Sequence, residues 1–223
     1  MENEILIMLI TVIGLMLPMI GVKFGVRGLQ IIVVFLTLTT AIFSGKMIKA
    51  FGLIMSSGVP LFAAIFLSTD LIGELYGKKR GFETIIISLC SNLCFLIIGI
   101  CVVFLVPFGD SLVSGAIDNL FTFIPRLFLG SLIAFIVSQI LDIILFSKLK
   151  KVTKGKYLWL RNCLSTSISQ FVDTFLIVFI VFWKVLPING LVDLFISIYI
   201  VKLVIVLIDT PFCYWGRKIA QKE

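Results

Sequence analysis

The stretch Phe82–Val106 reads FETIIISLCSNLCFLIIGICVVFLV, and it decides the class of fold. Only one of its 25 side chains, Glu83, is charged. An α-helix rises about 1.5 Å per residue, so about 20 apolar residues cross a hydrocarbon core that is ~30 Å thick. The stretch therefore predicts a helix that spans a membrane.

Apolar runs of similar length recur along the chain, separated by short polar breaks. The first run begins beside Glu2 and Glu4, whereas a signal peptide begins with basic residues and ends at small residues that form a cleavage site. We therefore interpret it as a helix, and we predict an all-α, polytopic transmembrane bundle. Its seven predicted spans are Ile5–Val22, Val26–Ser44, Phe51–Leu75, Phe82–Val106, Leu120–Phe146, Asn162–Leu186 and Leu191–Trp215.

The composition is that of a protein surrounded by lipid. Hydrophobic residues make up 60% of the chain, 14% of residues are charged, and the mean hydropathy is +1.20. A soluble domain carries about a quarter charged residues, so we expect a single membrane domain over residues 1–223. The chain has no histidine, which excludes imidazole-dependent zinc and haem sites, and we predict no cofactor. Cys90, Cys94 and Cys101 share one helical face, and we interpret them as small core residues.

The placement of lysine and arginine predicts the orientation. Fourteen basic residues lie in alternate loops and in the C-terminal tail, whereas the opposite loops hold only Lys46, Lys49 and Lys184. Because basic loops stay in the cytoplasm, we expect the N-terminus outside and the C-terminus inside the bacterial cytoplasmic membrane. The net charge of +7 is then a signal of topology, and it requires no nucleic-acid partner.

Ionisable residues also fall inside the predicted spans, where each costs about 2.5–3.5 kcal/mol to insert. A membrane anchor needs none, so these residues indicate a transport pathway or a binding site. Two structural alternatives stay open: an ion pair between Asp173 and Lys202 at the predicted midplane, and pairing of Asp70 and Glu74 with the basic loop 78–80. The residues within the spans are Asp70, Glu74, Arg126, Asp142, Asp173, Lys202 and Asp209.

The pattern Ser-Gln-x-x-Asp occurs twice, at residues 138–142 in the fifth span and at residues 169–173 in the sixth. Neighbouring spans run in opposite directions, so the two copies are inverted, as repeats are in many secondary transporters. We interpret the small residues along both helices as a means of close packing. Packing requires neither acids nor amides, so four residues are interpreted as functional: Gln139, Asp142, Gln170 and Asp173.

Gly58 and Pro60 interrupt the third predicted span. Proline removes a helical hydrogen bond, so we expect a kink or an unwound turn there. Backbone groups freed within a membrane must face protein or a cavity. Asp70 and Glu74, four residues apart, would then share one face of the helix below the kink.

The stretch Ser68–Arg80, STDLIGELYGKKR, resembles the third-helix signature T-D-x-x-x-E-x-Y-G-K-K of the queuosine precursor transporters, also called the vitamin uptake transporter family. The resemblance covers about Gly45–Tyr214. It implies six core helices, so the N-terminal run is an extra helix outside the core. Further motifs agree in order: Pro125-Arg126, Ser138-Gln139 with Asp142, Trp159–Asn162, Ser169-Gln170 with Asp173, Tyr199–Lys202 and Thr210-Pro211.

The resemblance implies import of queuosine precursors, which are 7-deazaguanine bases such as the cyano or aminomethyl form, queuine, or the nucleoside. A carboxylate can accept the ring N–H and the exocyclic amine of such a base together, and its carbonyl edge needs a donor. The aromatic surface for stacking would be Trp159 or a phenylalanine. The expected partners are this small molecule and the bilayer, and homo-oligomers stay open. The predicted substrate-binding residues are Asp70, Glu74, Asn92, Gln139, Asp142, Arg161, Gln170, Asp173 and Lys202.

Three other functions are alternatives. A substrate-binding component of an energy-coupling-factor importer would need an ATPase module, and it often carries an early Ala-x-x-x-Ala face that this chain lacks. Half of a major facilitator is a second alternative, but seven spans are too few for the twelve helices of that superfamily. An intramembrane enzyme would need a catalytic motif, and the acids Asp142 and Asp173 are expected to differ in depth by about 9 Å. We therefore predict a transporter and not an enzyme.

Overall fold

The computed structural model describes residues 2–106, 112–184 and 186–221, with the side chains at 112 and 122–127 outside the description. Arg126, one of the charged residues expected within a span, belongs to that last group. The described part contains seven α-helices and one β-hairpin. The elements are α1 (Glu2–Val22), α2 (Gly25–Phe43), β1 (Met47–Ala50), β2 (Leu53–Ser56), α3 (Val59–Leu75), α4 (Lys78–Val103), α5 (Leu112–Val152), α6 (Leu158–Val181) and α7 (Ile188–Ala220).

Six helices of the described part are long and apolar enough to cross a membrane: α1, α2, α4, α6, α7 and the Phe128–Val152 portion of α5. The chain is a multi-pass helical membrane protein, as predicted. The helices alternate in direction, so β1 and β2 lie at one end of the bundle, the hairpin end. The loops 23–27, 76–80 and 148–161 lie at the other, which we call the basic end.

The third predicted span is wrong in its first part. Residues 47–56 form an antiparallel hairpin in which Ala50 pairs with Leu53. Its two turn residues, Phe51 and Gly52, have φ of 53° and 76°, as a type I′ turn requires. Helix α3 starts only at Val59, with proline in its first turn, where a missing N–H breaks no helical bond. The kink expected at Pro60 is therefore absent, because the chain is extended before this point and helical only after it.

Helix α3 occupies the centre of the bundle. It packs against α1, α2, α4, α5 and α7, and every residue from Phe62 to Ile72 is buried. A helix that is apolar on all sides is stable only when it is enclosed. The acids of α3 consequently face protein on every side.

Helix α1 is an integral part of this bundle. Leu15 and Met19 on α1 are buried, and a Cβ at Gly216 on α7 would stand 3.2 Å from the Met19 side chain. At the hairpin end, the Asn3 side chain donates to the carbonyl of Lys49 over 2.9 Å. The N-terminal run is thus a full helix, as predicted.

The outer surface of the bundle is apolar, and its interior holds polar side chains among apolar ones. Large side chains such as Ile97, Ile98 and Leu207 are exposed to the surroundings, as expected for positions that face lipid. Cys90 and Cys94 on α4, with Cys101, share one face as predicted, but all are exposed. Their interpretation as core residues is wrong, since that face lies on the outer surface of the bundle.

Candidate functional site

A cavity runs from the hairpin into the middle of the bundle. Together with the open space at its mouth, it spans about 880 Å³ that protein atoms do not fill. Met47 and Ser56 line it at the hairpin end, and Asn92 and Lys202 line it at its inner end. Its wall is mainly apolar and aromatic, with contributions from Val59, Phe62, Ile65, Phe128, Leu132, Phe135 and Phe182. Apolar walls with a few polar groups are typical of sites for small molecules.

Lys202 forms an ion pair with Asp173 at the inner end of this cavity. Its Nζ lies 2.6 Å from Asp173 Oδ2, and the two side chains are 5% and 0% exposed. The same Nζ lies 4.8 Å from the centre of the Phe62 ring, in a cation–π contact. An ammonium group has three N–H donors, so it can donate to Asp173 and still offer a donor to the cavity. The ion pair that was left open as an alternative therefore exists, and it borders the cavity.

Asn92 contributes from α4. Its side-chain nitrogen donates to Thr37 Oγ1 and to the carbonyl of Ser88, both over 2.8 Å. Both N–H groups are thus engaged within the protein, and the side-chain oxygen is the group that can accept a bond from a ligand.

The repeated pattern joins α5 to α6 by two reciprocal hydrogen bonds. Ser138 donates to Asp173 over 3.1 Å, and Ser169 donates to Asp142 over 3.2 Å. Each serine therefore serves the acid of the other copy, as an inverted pair of helices allows. Asp142 stands level with Ser169, four residues from Asp173, so the two acids differ in depth by about 6 Å and not by about 9 Å.

Three buried acids lie together on the basic-end side of Asp173. We call Asp70, Asp142 and Asp209 the carboxyl cluster. Their exposed fractions are 3%, 0% and 1%. Asp70 accepts a hydrogen bond from Thr166 over 3.2 Å and lies within hydrogen-bonding range of Asp142. Asp209 accepts a bond from Asn162 over 2.8 Å. Sequence reasoning noted Asp209 but left it out of the site, because nothing in the sequence shows that it faces Asp70.

Gln139 and Gln170 have unpaired amide atoms. Gln139 is 0% and Gln170 is 1% exposed. Neither amide atom of Gln139 has a hydrogen-bond partner among the described residues, and neither does Gln170 Oε1. A buried amide without partners is unfavourable by about 1–3 kcal/mol per group, so such atoms indicate a place for ligand or water.

Glu74 closes the basic end. Its carboxylate lies 2.8 Å from Lys150 Nζ, 3.1 Å from Arg161 Nη2 and 3.5 Å from Arg217 Nη1. These four residues, the basic-end cluster, join α3, α5, α6 and α7. Arg161 is fully buried, and its guanidinium lies 5.3 Å from the centre of the Phe146 ring.

The predicted site is therefore divided among three levels. Glu74 and Arg161 lie in the basic-end cluster and not at the cavity. Glu74 does not pair with residues 78–80 in the described structure, and Arg80 pairs instead with Glu83 at 2.6 Å. Lys150 and Arg217 were missed, because they lie far along the chain from Glu74 and the sequence gives no sign of this contact.

Trp159, one of the two predicted stacking surfaces, lies away from the cavity. This side chain is 50% exposed at the start of α6, at the basic end. The phenylalanine alternative fits the cavity, where Phe62 and Phe135 meet edge to face with ring centres 6.5 Å apart.

Comparison with known proteins agrees with this description. The family whose sequence model matches residues 56–216 is described as "Putative vitamin uptake transporter". A Bacillus subtilis (strain 168) protein named "Probable queuosine precursor transporter" is 31% identical over 201 residues, which cover 90% of this chain and 88% of the relative. A protein of the same name from Haemophilus influenzae is 27% identical over 129 residues, or 57% of this chain and 52% of the relative. No solved structure matches.

The matched region contains α3 to α7 almost entirely, and with them the carboxyl cluster, most of the cavity wall and three of the four residues of the basic-end cluster. The fourth, Arg217, lies one residue beyond the matched region. The relatives are transporters by name, and no finding points to an enzyme. A transporter within a bilayer has a small-molecule substrate. This chain is a multi-pass membrane transporter, and it belongs to the vitamin uptake transporter family.

Proposed function

We propose that this protein imports queuosine precursors, that is 7-deazaguanine bases such as the cyano or aminomethyl form or queuine, into the bacterial cytoplasm. The observation that carries the proposal is the cavity that ends at Lys202, Asp173 and Asn92, in a chain whose relatives carry that name. The whole chain, residues 1–223, would act as one domain.

The chemistry of the cavity suits a flat, polar base. The carbonyl edge of a deazaguanine would accept a bond from Lys202 Nζ, and its N–H groups would donate to the oxygen of Asn92. Phe62 and Phe135 would contact the ring face. Both oxygens of Asp173 are already engaged, by Lys202 and Ser138, so we assign Asp173 the role of holding Lys202 in place.

Polar groups closer to the basic end would form hydrogen bonds with the base during transport. The unpaired amide of Gln139 can donate and accept at once, and the unpaired Oε1 of Gln170 can accept, as the edges of a guanine-like base require. We place them as the next contacts after Lys202. Asp70 and Asp142 lie in the carboxyl cluster, and we do not assign them to the base.

The two ends of the bundle support an alternating-access mechanism. The cavity reaches the hairpin end, while the basic-end cluster ties four helices together at the opposite end. If the basic end is cytoplasmic, as the loop charges predict, this arrangement is the outward-facing state. Release of substrate then requires the pairs of Glu74 to separate.

The test is uptake of labelled 7-cyano-7-deazaguanine by cells that cannot synthesise queuosine precursors. Lys202→Met should lower uptake at least about tenfold, because a hydrogen bond to a charged group contributes about 1.5–3 kcal/mol. Lys184→Met, which removes an exposed lysine at the hairpin end, is the matched control and should transport normally. Normal uptake by Lys202→Met would remove the proposed site.

A second arm tests independence from other proteins. The chain is expressed in a host without an ATPase module of the energy-coupling-factor type. Uptake there supports a transporter that works alone, whereas loss of uptake favours a binding component of such an importer.

A further inference from the structure

The carboxyl cluster brings together acids from α3, α5 and α7 in the closed half of the bundle. All three side chains are at least nine-tenths buried. No lysine or arginine nitrogen of the described side chains lies within 4.0 Å of Asp70, Asp142 or Asp209. Three carboxylates held together in a medium of low dielectric repel each other strongly, so they cannot all stay ionised without a bound cation or proton.

The charged groups around the carboxyl cluster determine its net charge. On the cavity side, Lys202 is committed to Asp173. On the basic side lie the Cys213 thiol, which is close to Asp70 and Asp209, and the basic-end cluster. Taken together, the carboxyl cluster and the basic-end cluster hold four carboxyl groups against three cations. One bound proton makes the net charge of the two clusters zero.

The contact between Asp70 and Asp142 gives that proton a place. Two carboxyl groups within hydrogen-bonding range of each other need a proton between them, because a carboxylate has no donor. The hydroxyl of Thr166 donates to Asp70, and the hydroxyl of Ser169 donates to Asp142. One further proton completes the pair, as in other sites where two acids share one.

Unpaired atoms around the cluster indicate that a ligand is exchanged there. Ser165 Oγ and Asn162 Oδ1 have no hydrogen-bond partner among the described residues, and both side chains are fully buried. Asn162 reaches Asp209 through its nitrogen, and Ser165 lies beside Asp142. A hydroxyl between acceptors can pass a proton on, because it both donates and accepts.

Arg161 offers a way to release the proton. It pairs with Glu74 through Nη2, whereas its Nε and Nη1 have no hydrogen-bond partner among the described residues. Separation of the basic-end cluster would free the guanidinium to turn toward the acids and replace the proton as their counter-charge.

We propose that Asp70 and Asp142 share one transported proton, and that the protein carries this proton inward together with its substrate. The inference rests on the proposed import of queuosine precursors. Substrate would enter the cavity with the pair protonated. Opening of the basic end would deliver the proton to cytoplasmic water as Arg161 takes its place. No covalent bond of the substrate changes.

The experiment uses purified protein in liposomes that contain a pH-sensitive dye, with 7-cyano-7-deazaguanine as the probe. An acid-outside gradient should raise accumulation several-fold, and addition of the base should acidify the interior. A sodium gradient of equal size should have no effect. Counterflow, the exchange of labelled for unlabelled base without a gradient, is measured in parallel.

Two matched variants remove one acid each from the repeated pattern. Asp142→Asn should lose gradient-driven accumulation and acidification while counterflow stays measurable, because exchange needs no change of protonation. Asp173→Asn should lose counterflow as well, because Lys202 is no longer held. If Asp142→Asn elutes as an aggregate in size-exclusion chromatography, Asp70→Asn takes its place, with the same expected result.

The outcomes separate the two proposals. Absence of counterflow in the wild-type protein would overturn the proposed substrate. Counterflow without any response to the proton gradient would overturn proton coupling alone, as would accumulation driven by sodium. An Asp142→Asn variant that acidifies the interior as the wild type does would also exclude this pair as the proton site.

Discussion

Asp173 and Asp142 are the acids of the same local pattern, Ser-Gln-x-x-Asp, yet they lie in opposite surroundings. Asp173 faces α7, where Lys202 lies 2.6 Å away at the inner end of the cavity. Asp142 faces α3, where another acid, Asp70, lies within hydrogen-bonding range. Each also accepts a hydrogen bond from the serine of the other copy. The local pattern thus determines which polar groups are present. The helix that packs against each acid, α7 or α3, determines whether a cation or a proton neutralises it.

The difference follows from the geometry of an inverted pair. Helices α5 and α6 run antiparallel, so the pattern on α6 points toward the hairpin end and the pattern on α5 toward the basic end. The acid of α6 therefore meets the cavity, and the acid of α5 meets the closed half of the bundle. The substrate-facing charge and the candidate proton site therefore differ in depth by about 6 Å.

The largest effect on stability is expected from removing the lysine that neutralises Asp173. Lys202→Met leaves Asp173 buried without its counter-charge, which should lower the free energy of unfolding by about 3–5 kcal/mol. Thermal unfolding of the purified protein in detergent measures this. The double variant Lys202→Met/Asp173→Leu should regain most of the loss, since neither charge is then left alone. A single variant as stable as the wild type would mean that the pair contributes nothing.

Opening the closed half is expected to have the next largest effect. Glu74→Gln removes the only carboxylate that the described cations of the basic-end cluster share, so the four helices should part more readily. Cys213, fully buried beside this cluster, is the reporter once the other cysteines are alanine. If the pairs favour closure by about 1.4 kcal/mol, labelling by a membrane-impermeant maleimide should rise about tenfold. Glu83→Gln, which removes the exposed partner of Arg80, is the control and should leave labelling unchanged.

The two serines sharpen the comparison at smaller scale. Ser138→Ala removes a bond to the paired Asp173 and should lower the free energy of unfolding by about 1.5–3 kcal/mol, as expected for a charged acceptor. Ser169→Ala removes a bond to Asp142, which shares a proton, and should lower it by only about 1 kcal/mol. Unfolding of the two variants side by side measures the difference. Equal losses would indicate that both acids carry the same charge.

The smallest effect on stability is expected from Asp142→Asn. Asparagine at this position keeps an N–H donor that can replace the proton shared with Asp70, so the free energy of unfolding should change by less than about 0.5 kcal/mol. Asp173→Asn, the equivalent change in the other copy, should be clearly destabilising because it leaves Lys202 unpaired. A larger loss for Asp142→Asn than for Asp173→Asn would reverse the assignment of the two environments.

Several features could be predicted from the sequence because they depend on local composition. The lengths of the apolar runs predicted the helices. The acids, amides and lysine within those runs predicted that the interior holds polar groups. The failures have local causes too. Residues 51–56 are apolar enough for a span, yet the left-handed turn at Phe51 and Gly52 folds them into a hairpin. The cysteines of α4 share the predicted face, but periodicity alone cannot tell a face toward protein from a face toward lipid.

The site itself shows where sequence reasoning ends. Glu74 was expected to pair with the adjacent basic loop, since proximity along the chain is all that a sequence provides. It pairs instead with Lys150, Arg161 and Arg217, which come from three other helices. Asp209 and Asn162 belong to the polar interior for the same reason, through a contact between α6 and α7.

The sequence by itself determined that this protein lies in a membrane, which family it belongs to and which polar groups its interior must hold. These properties depend on the free energy of transferring each side chain into lipid, and that quantity is local. Only the tertiary structure decided which acid meets a lysine, which acid meets another acid and which end of the bundle is closed. Those outcomes depend on distances between helices far apart in the chain, and electrostatic interactions in a medium of low dielectric change steeply with such distances.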